Sequence, residues 1–159
     1  MKRKAIIISI KSFKLSKEEE KLIVNHRPWG IILFKRNIKN LKQLKNLTNK
    51  IRSLINDKYY PILVDEEGGR VSRLSNIINT KTYSQGYFGY LYEKNKILGK
   101  NSYIEYLHFI CQLLKEGGIN INIIPVLDVF KRNSNNYLIT GNNYDVEIVL
   151  SVIEVFQKK

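Results

Sequence analysis

Apolar residues fall into two kinds of run along the chain, and the two kinds alternate. Residues 5–10, 30–34, 61–64 and 119–129 are short, nearly continuous and rich in Ile and Val. Between them lie longer stretches in which apolar residues recur three or four apart. The clearest of these carries Leu41, Leu44, Leu47, Ile51, Leu54 and Ile55, the stripe of a helix that lays one face on a core. Continuous runs predict strands covered on both faces, since a half-exposed strand would alternate polar with apolar. Helix boundaries are marked as well. Ser16 followed three residues later by Glu19 is a capping box, Asn40 with Gln43 starts the striped helix, and Gly117-Gly118 stops a third helix running over 95–115. A last helix is predicted over 144–157, with Val146, Val149, Ile153 and Phe156 on one face. Residues 75–95 are polar and rich in Tyr without a clear period, which predicts a long loop with room for a short helix.

The pattern is βα repeated four times, and continuous strands joined by helices predict a parallel sheet. An open doubly wound sheet and a sector of a (β/α)8 barrel both satisfy it. No glycine fingerprint follows the first strand, where the chain reads Ile10-Lys-Ser-Phe-Lys, and no GxxxxGK[ST] loop occurs, so nucleotide-binding folds lose their main support. At about 40 residues per unit a closed barrel needs roughly 250. The 159 residues therefore predict one α/β domain over 1–159, the first four βα units of a TIM barrel, with no second domain. A half barrel has two open parallel edges and an uncovered inner face, so a homodimer or a complementary C-terminal half is the expected partner.

Composition changes this picture little. Hydrophobic residues make up 43% of the chain and are spread along it, which excludes disorder as the main state. The net charge of +13 would suit a polyanion by electrostatics. The joint abundance of Lys, Ile and Asn reads instead as a general compositional bias, and with no recognition motif present a nucleic-acid partner is not favoured. Lys39, Lys42, Lys45 and Lys50 fall off the apolar stripe, as a solvated helix face requires. One cysteine, Cys111, excludes an internal disulfide; set among Ile104, Leu107 and Leu114, it is predicted to be a buried structural thiol. The N-terminal apolar run ends at Lys11, too short for a signal core, and nothing approaches the ~18 apolar residues of a membrane span. A cytoplasmic setting without membrane contact is expected.

In parallel α/β folds, ligands meet the carboxyl ends of the strands. Those ends read Lys35-Arg36-Asn37, then Asp65-Glu66-Glu67-Gly68-Gly69-Arg70, then Asp128. The third is the most informative. Gly-Gly permits a sharp exit, after which acids and the arginines Arg70 and Arg73 can converge on one polar ligand. Carboxylate with guanidinium suits a sugar, whose hydroxyls both donate and accept, better than a phosphate. An Asp/Glu–Arg network that merely stabilises the turn fits the bare residues equally well. A metal on Asp65 and Glu67 fits less well, because no His lies near. His26 and His108 fall in helical stretches and read as surface or packing residues.

The string Trp29-Gly-Ile-Ile-Leu-Phe-Lys-Arg-Asn37, followed by a helix and then Ile62-Leu-Val-Asp-Glu-Glu-Gly-Gly-Arg-Val-Ser-Arg73, resembles the N-terminal part of glycoside hydrolase family 3. Within that family it is most similar to the bacterial cytoplasmic β-N-acetylhexosaminidases of peptidoglycan recycling, and Ile124-Pro-Val-Leu-Asp-Val129 resembles the family's fourth-strand motif. The resemblance spans essentially the whole chain. It implies a TIM-barrel hydrolase that removes terminal N-acetylglucosamine from peptidoglycan fragments with retention and without a cofactor. It also implies that Asp65 and Arg73 bind hydroxyls of the terminal sugar. The family's acid/base histidine, in a Lys-His-Phe-Pro-Gly-His-Gly segment, and its nucleophilic aspartate lie further along than Lys159, so no catalytic residue and no metal ligand is assigned here. A truncated chain without activity of its own is the expectation. A further sugar-binding arginine of the family aligns with Asn142 or Asn143. If Asp65 and Arg73 share one cavity at the strand ends, Glu66 and Glu67 are left to the turn's own amides and to Arg70, which should turn away or pair locally.

Overall fold

Strand β1 (Lys4–Ser9) opens the chain, followed by helix α1 (Lys17–His26) and strand β2 (Pro28–Leu33). Helix α2 (Leu41–Ile55) leads to strand β3 (Ile62–Val64), and helices α3 (Gln85–Lys94) and α4 (Lys96–Glu116) lead to strand β4 (Ile121–Asn122). These elements come from a computed structural model of the chain, which describes residues 2–126. All three strand pairings are parallel, and the sheet order is β1-β2-β3-β4. Consecutive strands are neighbours throughout, with no reversal of order. A doubly wound sheet would need such a reversal, so the described sheet is a barrel sector.

The caps that the sequence marks are present. Ser16 accepts from the Glu19 amide while Glu19 reaches back to the Ser16 amide, and Asn40 accepts from the Gln43 amide. Beyond α4, Gly118 takes a φ of +78°. The α2 stripe is buried at Leu44, Leu47, Ile51 and Ile55, whereas Lys39, Lys42, Lys45 and Lys50 are exposed. With Ile23 of α1 and Ile110 and Leu114 of α4, this stripe covers Ile31, Leu33, Ile62 and Val64, each fully buried. By strand alternation Ile32 and Leu63 face the other side of the sheet. Tyr60 ties the strand starts together, its hydroxyl donating to the Pro28 carbonyl at 2.7 Å.

Three expectations need correction. First, the Tyr-rich stretch holds a ten-residue helix, α3, started by Ser84 accepting from the Tyr87 amide. Its aromatic residues lie all around it, so no apolar period betrays it. Phe88 alone inserts deeply, with its ring centroid 4.8 Å from that of Tyr103 and 5.0 Å from that of Tyr106. Second, Cys111 is exposed. The buried positions of α4 are Gly99, Tyr103, Leu107, Ile110 and Leu114, a stripe that keeps Leu107 and Leu114 of the expected one but has Tyr103 and Ile110 in place of Ile104 and Cys111. Third, β4 is only two residues long where a longer strand was predicted. Asp128, Asn142, Asn143 and the helix predicted over 144–157 lie outside the described residues. No helix among the described residues is long and apolar enough to cross a membrane.

Candidate functional site

β3 delivers the chain at Val64 directly into Asp65. From there the backbone makes a tight excursion, in which the Glu67 amide donates to the Val71 carbonyl at 3.0 Å. Gly68 and Gly69 sit at its tip with φ of +77° and +60°. That left-handed conformation favours glycine, and at Gly68 space demands it too: a Cβ would run into the Tyr83 carbonyl and stand 2.8 Å from the Tyr106 hydroxyl. The two glycines thus return residues 70–74 over the end of the strand.

Glu66 fixes the returning segment. It is 1% exposed, and its Oε2 accepts from the amides of Arg73 at 2.6 Å and Leu74 at 2.8 Å and from the Ser72 hydroxyl at 3.3 Å. Thr80 Oγ1 stands 3.2 Å from Glu66 Oε1 and 2.7 Å from Ser72 Oγ, either of which its single proton can reach. The Glu66 main chain is held as well, its amide donating to Asn122 Oδ1 at 2.9 Å and its carbonyl accepting from Asn122 Nδ2 at 3.2 Å. A buried carboxyl group with this many donors positions the loop and has no capacity left for a ligand. Burial, and secondly the nearby Glu66 charge, push the Tyr106 phenol upward, so it stays protonated.

Asp65 and Arg73 are brought together. Arg73 Nη2 lies 3.5 Å from Asp65 Oδ2, and the two side chains keep 25% and 23% of their surface exposed. The Arg73 guanidinium also lies 5.4 Å from the centroid of the Phe34 ring, and that of Arg36 lies 4.7 Å from the same ring. Arg36 in turn donates to the Ile10 carbonyl at 3.2 Å and to Ser9 Oγ at 3.1 Å. Two guanidinium groups on one aromatic ring therefore link the carboxyl ends of β1, β2 and β3. Asp65 offers acceptor oxygens and Arg73 fixed donors, both half-open to solvent. That combination can hold a group that both donates and accepts, as a sugar hydroxyl does.

Beside the pair lies a cavity of about 450 Å³, bordered by Lys35, Arg70, Arg73, Ser75 and Lys81 among others. Arg73 lines it, while Asp65 is joined to it through the ion pair with Arg73. Arg70 is exposed and borders the same cavity. Among the described residues no group of His, Cys, Asp and Glu gathers three potential metal ligands. His26 and His108 are exposed on α1 and α4, remote in sequence from the loop. Sequence reasoning named Lys35 as part of a strand end but missed Phe34 beside the pair and Lys81 on the cavity border. Phe34 closes the apolar run that it read as the second strand. Lys81 lies in the irregular stretch before α3, where no spacing marks it.

Comparison with known proteins gives a consistent answer. Residues 2–155 match the glycosyl hydrolase family 3 N terminal domain. A beta-hexosaminidase of Neisseria gonorrhoeae is 30% identical over 141 residues, which cover 88% of this chain and 38% of that protein. A beta-hexosaminidase of Aromatoleum aromaticum is 30% identical over 124 residues, 78% of this chain and 35% of that protein. The chain thus spans well under half the length of these curated relatives. Among solved structures, NagZ from Neisseria gonorrhoeae in complex with N-trifluoroacetyl-D-glucosamine superposes with a TM-score of 0.70 at 31% identity, covering 80% of this chain and 38% of that one. A family 3 β-N-acetylglucosaminidase from Paenibacillus superposes with a TM-score of 0.63 at 27% identity, covering 77% and 23%.

Proposed function

Because the chain belongs to the glycosyl hydrolase family 3 N-terminal domain family, we propose that it carries part of the terminal-sugar site of a retaining β-N-acetylhexosaminidase. The observation that carries this reading is the half-open Asp65–Arg73 pair at the carboxyl end of β3. Asp65 accepts hydrogen bonds from hydroxyls of a terminal N-acetylglucosamine, and Arg73 donates to them. Charge-assisted bonds of this kind are about twice as strong as neutral ones, which suits them to orient the sugar ring for attack. We place the activity in the cytoplasm, on peptidoglycan fragments bearing terminal N-acetylglucosamine, in a barrel completed by a further set of βα units.

Retaining hydrolysis needs a nucleophile at the anomeric carbon and an acid for the leaving oxygen. The family's Lys-His-Phe-Pro-Gly-His-Gly segment is not found within the 159 residues. The polypeptide assayed by itself therefore binds the sugar without turning it over. The test is calorimetric titration with N-acetylglucosamine, alongside an assay with an aryl β-N-acetylglucosaminide. Binding that Asp65→Asn and Arg73→Gln each weaken at least tenfold, with no turnover, supports the reading; a tenfold loss is what removing about 1.4 kcal/mol produces. Binding insensitive to both substitutions, or turnover by this polypeptide free of contaminants, overturns it.

A further inference from the structure

A second cavity, of about 440 Å³, lies between the irregular stretch before α3 and the helices α3 and α4. It shares only Thr80 with the cavity bordered by Arg73, and its border is of another kind. Five aromatic side chains line it, Tyr83, Tyr87, Phe88, Tyr106 and Phe109, while no Asp, Glu, Lys, Arg or His does. The chain carries a net charge of +13, yet nothing on this border offsets the cost of desolvating an ionic ligand. A neutral occupant is selected. Three of the rings are tilted much alike: Tyr83 is inclined by 22° to Phe88 and by 32° to Tyr106, and Phe88 by 36° to Tyr106. Such walls suit a flat molecule that stacks on them or meets their edges. Tyr83 and Phe109 are 44% and 45% exposed, so ring surface remains for a ligand to cover.

One polar atom adds a direction. The Tyr106 hydroxyl is buried and makes no hydrogen bond, and burial keeps it protonated, so it is a donor without an acceptor. The neighbouring wall supplies none. Gly68, where an added Cβ would stand 2.8 Å from that hydroxyl, has no side chain to offer, and the Thr80 hydroxyl lies within reach of Glu66 and Ser72. A buried donor left unpaired costs free energy that a ligand bearing an acceptor recovers. We propose that this cavity binds a neutral, planar molecule of two fused rings whose carbonyl or ether oxygen accepts from Tyr106 Oη. The volume of about 440 Å³ falls within the roughly 300–1,000 Å³ of ordinary ligand pockets. Neither Asp65 nor Arg73 takes part, so the inference stands apart from the sugar-binding reading.

The test is equilibrium dialysis of the 159-residue chain against coumarin, a neutral fused-ring carbonyl compound, and naphthalene, which has the rings without the acceptor. Wild type is compared with Tyr106→Phe and with Phe109→Ala, the second at an exposed position that the fold does not depend on. Wild type should bind both probes. Tyr106→Phe should weaken coumarin about tenfold, as the loss of one buried hydrogen bond does, and leave naphthalene unchanged. Phe109→Ala should weaken both probes by about threefold or more, since both lose the same ring. Without ligand, Tyr106→Phe should be at least as stable as wild type in urea, because the hydroxyl it removes has no partner to lose. A clear loss of stability would show that the hydroxyl is already paired and overturn the proposal. So would the absence of coumarin binding, or coumarin binding that Tyr106→Phe or Phe109→Ala leaves untouched. Self-association in sedimentation that Phe109→Ala abolishes would assign the cavity to a second copy of the chain instead.

Discussion

β1 and β3 are built from the same kind of residue and meet opposite fates. Ile62 and Val64 of β3 are fully buried, whereas Ile6 and Ile7 of β1 are 51% and 44% exposed. Both strands are short apolar runs rich in Ile and Val, so composition does not separate them. Position does. β3 has a paired strand on each side and helices over one face, while β1 has only β2 as a neighbour among the described residues. Ile8 and Ile10 still reach the core beneath the helices, and Ile7 faces the other way. A continuous apolar strand thus records the covering that a whole barrel would supply, and the exposed isoleucines mark where that covering is not provided by residues 2–126. Exposed edges of this kind invite pairing.

The strand exits repeat the contrast, and they give the largest predicted effect. Glu66 beyond β3 and Glu19 beyond β1 both accept two backbone amides, Glu19 those of Lys11 and Ser16 at 2.8 Å each. Glu66 is buried, whereas Glu19 is only half-buried and its hydrogen bonds to the two amides lie at the exposed surface. Glu66→Ala strands the Arg73 and Leu74 amides out of reach of water, at about 1–3 kcal/mol each, so a loss of about 4 kcal/mol is expected. Glu19→Ala lets water replace the carboxylate and should cost about 1 kcal/mol, as a lost cap does. Urea unfolding with matched m-values measures both. Comparable losses would remove the distinction between the two exits. Glu66→Gln adds a control: its amide oxygen can still serve Arg73 and Leu74 while Thr80 turns to accept, so it should recover most of the stability.

Side-chain truncation sharpens the same comparison at smaller scale. Ile62→Ala should cost about 3 kcal/mol, within the range for a core isoleucine cut to alanine. Ile6→Ala should cost about 0.5 kcal/mol, because half of its surface already lies in water. If a partner chain covers β1, the order changes in a recognisable way. The cost of Ile6→Ala then rises with protein concentration, since dissociation is linked to unfolding.

Much of this was legible in the sequence because periodicity and capping are local. The capping box at Ser16, the Asn40 cap and the α2 stripe each depend on residues within a few positions of one another, and each is present in the structure. The parallel order of strands followed from their continuous apolar character. What escaped was set by tertiary contact. α3 has no stripe, because its burial depends on one ring, Phe88, meeting Tyr103 and Tyr106. Leu107 and Leu114 of α4 are buried as expected, but Ile104 and Cys111 offer as regular a spacing with them as the buried Tyr103 and Ile110 do, and sequence does not say which of the two pairs turns inward. At the site, the convergence of Asp65 and Arg73 was readable from Gly68-Gly69. The third partner, Phe34, was not, since nothing local links it to residues forty positions on.

The smallest effect concerns the other end of the same strands. The buried Tyr60 hydroxyl donates to the Pro28 carbonyl and so joins the start of β3 to the start of β2. Tyr60→Phe removes that bond and leaves one carbonyl short of a donor, which should cost about 1 kcal/mol at neutral pH. Burial pushes the phenol up to about 12, the Arg3 charge opposing and the Asp57 charge adding to the shift. The sign follows from linkage. The folded state holds the proton more tightly than an unfolded tyrosine, whose pKa is about 10. The stabilisation is therefore fully present below pH 10 and is lost as pH rises from there through about 12. Lysines titrate in the same window, so the informative quantity is the stability difference between wild type and Tyr60→Phe, measured by denaturant unfolding from pH 8 upward. That difference should hold constant to about pH 10 and then shrink. A difference independent of pH would mean that water reaches the hydroxyl and that the barrel floor beneath β2 and β3 is not as dry as that beneath their helix-covered face.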